Sequence, residues 1–426
     1  MSDYRIETKC LQEGYKPENG DPRILPIYQS TTYKYDSAEH LGKLFDLSVE
    51  GHMYTRISNP TTSFVEEKIN SLEGGVGCLL TSSGQAASFL AIYNIASAGD
   101  NFVSLASIYG GTINLFAVTM KRMGIEVRFA TPDMTDEEVD ALFDERTRLV
   151  FGETIANPAL TVLDIEKYAA LAHKHGVPLV VDNTFATPVL CRPFEYGADI
   201  VTHSTTKYMD GHASVVGGAI IDSGNFDWAA SDKYPELTTP DDSYHGLIYT
   251  EAFGKAAYIT KARVQLMRDF GCTPTPMAMF ILNNNLETLA LRMERHCENA
   301  LKVAQFLETQ KDKISWVNYP MLESSKDHDL ALKYLPKGCC GVISFGVSGG
   351  REKAMKFMDS LRLANIVVHV ADARTSVLHP ASTTHRQLTD EQLIDAGISA
   401  DLIRMSVGIE NIEDILDDIK QALAKL

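Results

Sequence analysis

The chain has 426 residues, 45% of them hydrophobic and 22% charged, which fits a folded globular protein and excludes a disordered chain, a collagen-like chain or a small disulfide scaffold. Its 56 acidic and 39 basic residues leave a net charge of -17, and such a surface repels phosphate backbones and anionic lipid, so nucleic acid and membrane headgroups are poor partners. No uncharged apolar run approaches the ~18 residues of a membrane span, and the charged opening segment lacks the apolar stretch of a signal peptide, so a cytoplasmic protein is expected.

The seven cysteines are odd in number and form no CxxC pair, the pattern of reduced cytosolic thiols rather than of a disulfide framework or a zinc site. His173 and His175 belong to no HExxH motif, so no metal is expected.

Residues 1–58 read as an irregular arm, rich in turn residues and in aromatics such as Tyr28, Tyr33 and Tyr35. Aromatics in a loop-like arm predict burial against something, for which a second subunit is a candidate. Asn59-Pro60 is a helix start, and Gly74-Gly75 stops that helix. Short apolar runs then alternate with helical stretches. Strands are predicted at 78–81, 102–105, 127–130, 149–152, 179–182, 200–203 and 219–222. Amphipathic helices are predicted at 85–97 and 166–175, and a solvated helix at 133–145. Such alternation predicts a mostly parallel sheet covered on both faces, with ligands at the carboxyl ends of the strands. From about residue 260 the pattern changes to a smaller α+β region. It has a long helix at 287–310, strands at 341–347 and 366–370, and a final amphipathic helix bearing Ile412, Ile415, Leu416, Ile419, Leu423 and Leu426 on one face. The expected division is an arm at 1–58, an α/β domain at 59–260 and a C-terminal α+β domain at 261–426.

Three stretches offer chemistry. Thr81-Ser82-Ser83-Gly84-Gln85 follows a strand and opens a helix, where free backbone N–H groups can hold an anion. Taken alone it fits an ordinary capped helix better. Asp182 ends a buried apolar strand, a costly place for an acid unless it meets a cation or donors. Lys207 comes just past the next strand in His203-Ser204-Thr205-Thr206-Lys207. A lysine partly removed from water loses basicity and can bond an aldehyde carbon. The same run fits S-x-x-K, a hydrolase nucleophile motif built on Ser204 and Lys207, but no S-D-N or K-T-G follows it. Together the three stretches supply a phosphate cradle, an acid and an aldehyde-bonding lysine, the set that pyridoxal phosphate requires.

At this point the chain resembles the Cys/Met-metabolism pyridoxal-phosphate enzymes over nearly its whole length. The matching stretches are 54–61, 72–75, 83–86, 109–112, Asn157-Pro158, 181–184, 204–208, 379–382 and 404–410. The resemblance implies an aspartate-aminotransferase-like α/β fold (fold type I), with a mostly parallel central sheet and a smaller C-terminal domain. It implies that Lys207 carries the cofactor and moves protons, and that Asp182 pairs with the pyridine nitrogen. Gly84, Gln85, Ser204 and Thr206 would hold the phosphate, with Thr184 also at the cofactor, while Tyr109 stacks on the ring. Asn157 and Arg404 would bind the cofactor's phenolic side and the substrate carboxylate. Tyr54 and Arg56 would reach the neighbouring subunit's site, so a homodimer is the smallest complete unit and a homotetramer is expected.

Within the family, 243–246, 260–263 and 370–388 resemble the sulfhydrylases acting on O-acetylhomoserine, which implies γ-replacement with sulfide or methanethiol. The alternatives are a methionine or cystathionine γ-lyase of the same family, a Ser204/Lys207 hydrolase, and a protein that binds the cofactor without catalysis. Against the lyases, Gly111 is expected to leave an empty space and to provide no thiol where methionine lyases carry cysteine. Arg374 is expected to face the site and repel a distal ammonium.

Overall fold

The computed structural model describes residues 4–383, 386 and 399–426. Two sheets organise it. The larger has seven strands: β1 Gly77–Thr81, β2 Asn101–Leu105, β3 Glu126–Ala130, β4 Thr147–Glu153, β5 Leu179–Asp182, β6 Ile200–His203 and β7 Gly218–Asp222. Their order is β1-β7-β6-β5-β4-β2-β3. Pairing from β3 through β6 is parallel, and β7 runs antiparallel to both its neighbours.

Both faces of this sheet are covered, and the strand residues sort by alternation. Val150, Leu179, Val181, Val201 and Ile221 enter one apolar core. Leu149, Phe151, Val180, Ile200 and Ile220 enter the other. This is why the strands read as unbroken apolar runs in the sequence. Helix Pro60–Glu73 starts where its cap predicts, with the Asn59 side chain accepting from the Thr61 N–H and Gly74 closing it at φ 86°. Helices Gly84–Tyr93 and Ile165–Lys174 fill the crossovers.

The smaller sheet comprises β8 Ile314–Asn318, β9 Val342–Val347, β10 Asn365–Ile366, β11 Ser376–Leu378 and β12 Leu402–Ser406, in the order β10-β11-β12-β9-β8. The long helix Leu289–Glu308 packs on β8 and β9, and the final helix Ile412–Leu423, burying Ile415, Ile419 and Leu423, packs against it and helix Gly350–Ser360.

Several expectations fail. The arm is not wholly irregular: it holds helices Ile6–Gln12 and Ala38–Phe45. The first is part of the folded body, because Cys10 is fully buried and the Lys9 ammonium donates to the Ser71 carbonyl. The helix expected at 133–145 shrinks to Asp136–Asp140, begun by a Thr135/Glu138 capping box. The strand expected at 366–370 pairs only through Asn365 and Ile366. Just past them the Val367 N–H still reaches the Val377 carbonyl, and the Val368 carbonyl accepts from Arg404 at 3.1 Å. Thr384, His385, Gln387 and Leu388, part of the stretch that resembles the sulfhydrylases, lie outside the described residues.

Among the described residues, no helix is long and apolar enough to cross a membrane.

Candidate active site

The carboxyl ends of β4, β5 and β6 open onto a cavity of about 370 Å3. Ten of the predicted site residues line it: Gly84, Gln85, Tyr109, Asn157, Asp182, Thr184, Ser204, Thr206, Lys207 and Arg404. They arrive from separate segments, each positioned by a local rule.

At one end the Ser83 hydroxyl accepts the Ala86 N–H and caps helix Gly84–Tyr93. The N–H groups of the first helical turn have no partner within the helix. Gly84 is required here for space. A Cβ on it would stand 2.5 Å from the Ser204 Cβ and 2.8 Å from the Ser204 Cα. Without one, the helix start lies directly against the loop after β6. That loop is held in turn: the Ser204 N–H donates to the Thr184 hydroxyl at 2.8 Å, and the Thr206 hydroxyl bonds both the carbonyl and the N–H of Gly217. The result is a bare backbone cradle rimmed by hydroxyls, the donor set a phosphate takes.

Asp182 ends β5, with its carboxylate accepting the Thr184 N–H at 2.9 Å. Burial raises its pKa above the usual carboxylate value, while the Thr184 donors and the charge of His203 pull it back. Lys207 follows β6. Burial first, and the Arg404 charge second, lower its pKa to about 8. Much of this amine is therefore a free base at mildly alkaline pH, the form that attacks a carbonyl carbon. Arg404 comes from β12 of the smaller sheet and is 8% exposed. It donates to the Asn157 side-chain oxygen at 3.3 Å and to the Val368 carbonyl, which aims a planar fork into the cavity. Tyr109 lines the cavity and is 49% exposed.

Tyr54 and Arg56 do not line this cavity. Arg56 lies over the Tyr54 ring at 5.3 Å and donates to the Arg268 carbonyl. Tyr54 is 44% exposed, an aromatic left uncovered by its own chain.

Two expectations about discrimination are overturned. The space beside Gly111 is not empty: a Cβ there would meet the Tyr109 ring at 2.5 Å and the Gln85 amide at 3.1 Å. Gly111 is what lets the tyrosine fold back over the turn. Nor does Arg374 face the cavity. Its guanidinium is bound to Asp372 at 3.2 Å and to the His212 carbonyl, on an exposed side chain.

Sequence reasoning missed Glu153 and His369, both in the cavity lining. Glu153 carried the signal that revealed Asp182, an acid closing a buried strand, but β4 was expected to end at 152. His369 gave no signal in the sequence. Its Nε2 is buried without a hydrogen-bond partner, and burial together with the Lys207 charge lowers its pKa.

Residues 7–424 match the family described as Cys/Met metabolism PLP-dependent enzyme. The chain belongs to this family. It is similar to the homocysteine synthase of Schizosaccharomyces pombe, 47% identical over 98% of each chain. It is also similar to O-acetyl-L-homoserine sulfhydrylase 1 of Thermus thermophilus, 47% identical over 99% of this chain and 100% of that one. Among solved structures it resembles a Campylobacter jejuni protein named as an O-acetylhomoserine (thiol)-lyase, which contains N'-pyridoxyl-lysine-5'-monophosphate. That likeness has a TM-score of 0.95 at 37% identity and covers 99% of this chain and 100% of the other. The fold is therefore the aspartate-aminotransferase-like fold expected from the motifs. Membership leaves the serine-hydrolase reading without support.

Proposed function

We propose that this chain uses pyridoxal phosphate to catalyse γ-replacement on O-acetyl-L-homoserine, with sulfide or methanethiol entering and acetate leaving, to give L-homocysteine or L-methionine. One observation carries the reading. A lysine of lowered basicity stands in a single cavity with a side-chain-free backbone cradle, a buried carboxylate and an arginine fork. These residues fit the cofactor's phosphate, its pyridine nitrogen and a substrate carboxylate in turn. The names of the relatives support the substrate.

In this reading the Gly84 and Gln85 N–H groups, with Ser204 and Thr206, hold the phosphate, and Thr184 steadies the loop beneath it. Asp182 faces the pyridine nitrogen, and Tyr109 stacks on the ring. The cofactor supplies an electron sink for charge developing on the substrate. Lys207 takes and returns protons at the substrate's Cα and Cβ. Arg404 and Asn157 orient the substrate through its α-carboxylate. O-acetylhomoserine has no distal charge, and the apolar lining given by Phe185, Val216 and Val368 suits such a chain.

The test is a product assay over acylated homoserines and thiols, set beside 2-oxobutyrate release from methionine and cystathionine. Homocysteine from O-acetylhomoserine plus sulfide is expected to be the fastest product. Faster 2-oxobutyrate release at matched substrate levels would make the enzyme a γ-lyase. The space expected beside Gly111 is filled and Arg374 turns away, while Gly111 still supplies no thiol, so this comparison is the discriminating one.

Tyr54 and Arg56 are proposed to complete the cavity of a second copy of the chain, in a dimer or a tetramer. Mixed oligomers of Arg56→Ala and Lys207→Ala subunits are then expected to regain activity, because one site in each pair has both residues intact. Demonstrated mixed oligomers that stay inactive would place both residues in the same subunit's site.

A further inference from the structure

Glu153 closes β4 directly opposite Asp182 on β5. It is 8% exposed and lines the cavity. Its Oε1 accepts the Tyr109 N–H at 2.7 Å, and the carboxyl group also accepts the Asn157 N–H. One side chain thus ties together two turns that leave different strands: the turn bearing the aromatic over the cavity and the turn bearing the partner of Arg404.

The register also sets two carboxyl groups side by side where little water reaches them. Two such neighbours do not both ionise, and one proton stays with the pair. The surroundings differ enough to place it. Asp182 has the Thr184 donors and the charge of His203 to favour its ionised form. Glu153 has only the two backbone donors, and both burial and the charge of Asp182 push it far above the usual carboxylate range. A neutral carboxylic acid can still accept both N–H groups.

We propose that Glu153 is a positioning residue, a neutral acid that braces the Tyr109 turn against the Asn157 turn and leaves the negative charge of the acidic pair on Asp182. The inference rests on the reading that Asp182 faces the cofactor ring. It gives the stacking tyrosine and the carboxylate-binding side of the cavity a common anchor.

The experiment compares Glu153→Gln with Glu153→Asp in the purified holoenzyme. Glutamine keeps the length and neutrality of the acid. Aspartate keeps the ionisable group but withdraws it from both turns. The first readout is the visible absorbance and circular dichroism of the bound cofactor, which report its environment and tilt without any substrate. The second is kcat and KM for O-acetylhomoserine.

Glu153→Gln is expected to keep the dichroism band and to hold kcat within about threefold, because the brace survives as a neutral acceptor. Glu153→Asp is expected to alter the band and to lower kcat by about tenfold or more, since sub-ångström misplacement of reacting groups carries such losses. An aspartate variant that matches or exceeds the glutamine variant in both readouts would overturn the proposal. So would a pair of variants whose thermal stability falls while band and kcat stay at wild-type values, because that is a purely structural role. A wild-type protein with no visible band would instead overturn the functional reading on which the proposal stands.

Discussion

Lys207→Ala is expected to abolish turnover, a loss of about 10⁴-fold or more once the proton-transferring group is gone. It should also end covalent retention of the cofactor. Burial alone does not single this lysine out. Lys68 and Lys261 are likewise buried and lowered in basicity. But the Lys261 ammonium is held by the carbonyl and side-chain oxygen of Asn94, and neither residue lines the cavity. Lys207 combines a lowered pKa with a position beside the cradle, the acid and the arginine. Borohydride reduction of the holoenzyme followed by peptide mapping should therefore place the pyridoxyl group on Lys207. An adduct on Lys68 or Lys261 would refute the assignment.

Asp182→Asn is expected to damage catalysis far more than folding. The amide can still accept the Thr184 N–H, so the local turn is kept. It cannot carry the negative charge that keeps a pyridine nitrogen protonated, and removing one electrostatic group of this kind lowers kcat by roughly 10²–10³. The swap also relieves Glu153 of its charged neighbour, so the thermal midpoint should hold or rise slightly. Near-normal kcat in a cofactor-loaded Asp182→Asn enzyme would remove Asp182 from this role.

How much of this was legible in the sequence follows from which interactions are local. β5 and β6 fall on their predicted residues, because strands buried on both faces are marked by their own apolar runs. The start of helix Pro60–Glu73 was equally plain, since a cap and a proline act within three residues. Lys207 and Asp182 were visible because strand ends in such sheets meet the ligand. What escaped depends on contacts far apart in sequence. Helix Ile6–Gln12 is short and is secured by packing and by the distant Ser71 carbonyl. The strand pairing ends at Ile366, and the Val368 carbonyl is instead taken by Arg404, 36 residues away. The empty space expected beside Gly111 and the cavity-facing place expected of Arg374 failed for the same reason. A sequence does not show that the Tyr109 ring occupies the space beside Gly111, or that Asp372 claims the Arg374 guanidinium.

The cradle, the acid and the lysine all sit at or just beyond strand ends of the seven-stranded sheet, whereas the arginine fork comes from β12 of the five-stranded one. The parts matched to the cofactor and the arginine matched to the substrate's carboxylate are thus borne by separate sheets, which also join beyond the cavity, where the Gly341 N–H donates to the Tyr208 hydroxyl and the Ser344 hydroxyl to the Pro158 carbonyl. Such an arrangement makes the protein modular in evolutionary terms. Substitutions in and around the smaller sheet can move or reshape the substrate's half of the cavity while the reactive half is inherited intact. Divergence of specificity within one lineage then needs no reinvention of its chemistry.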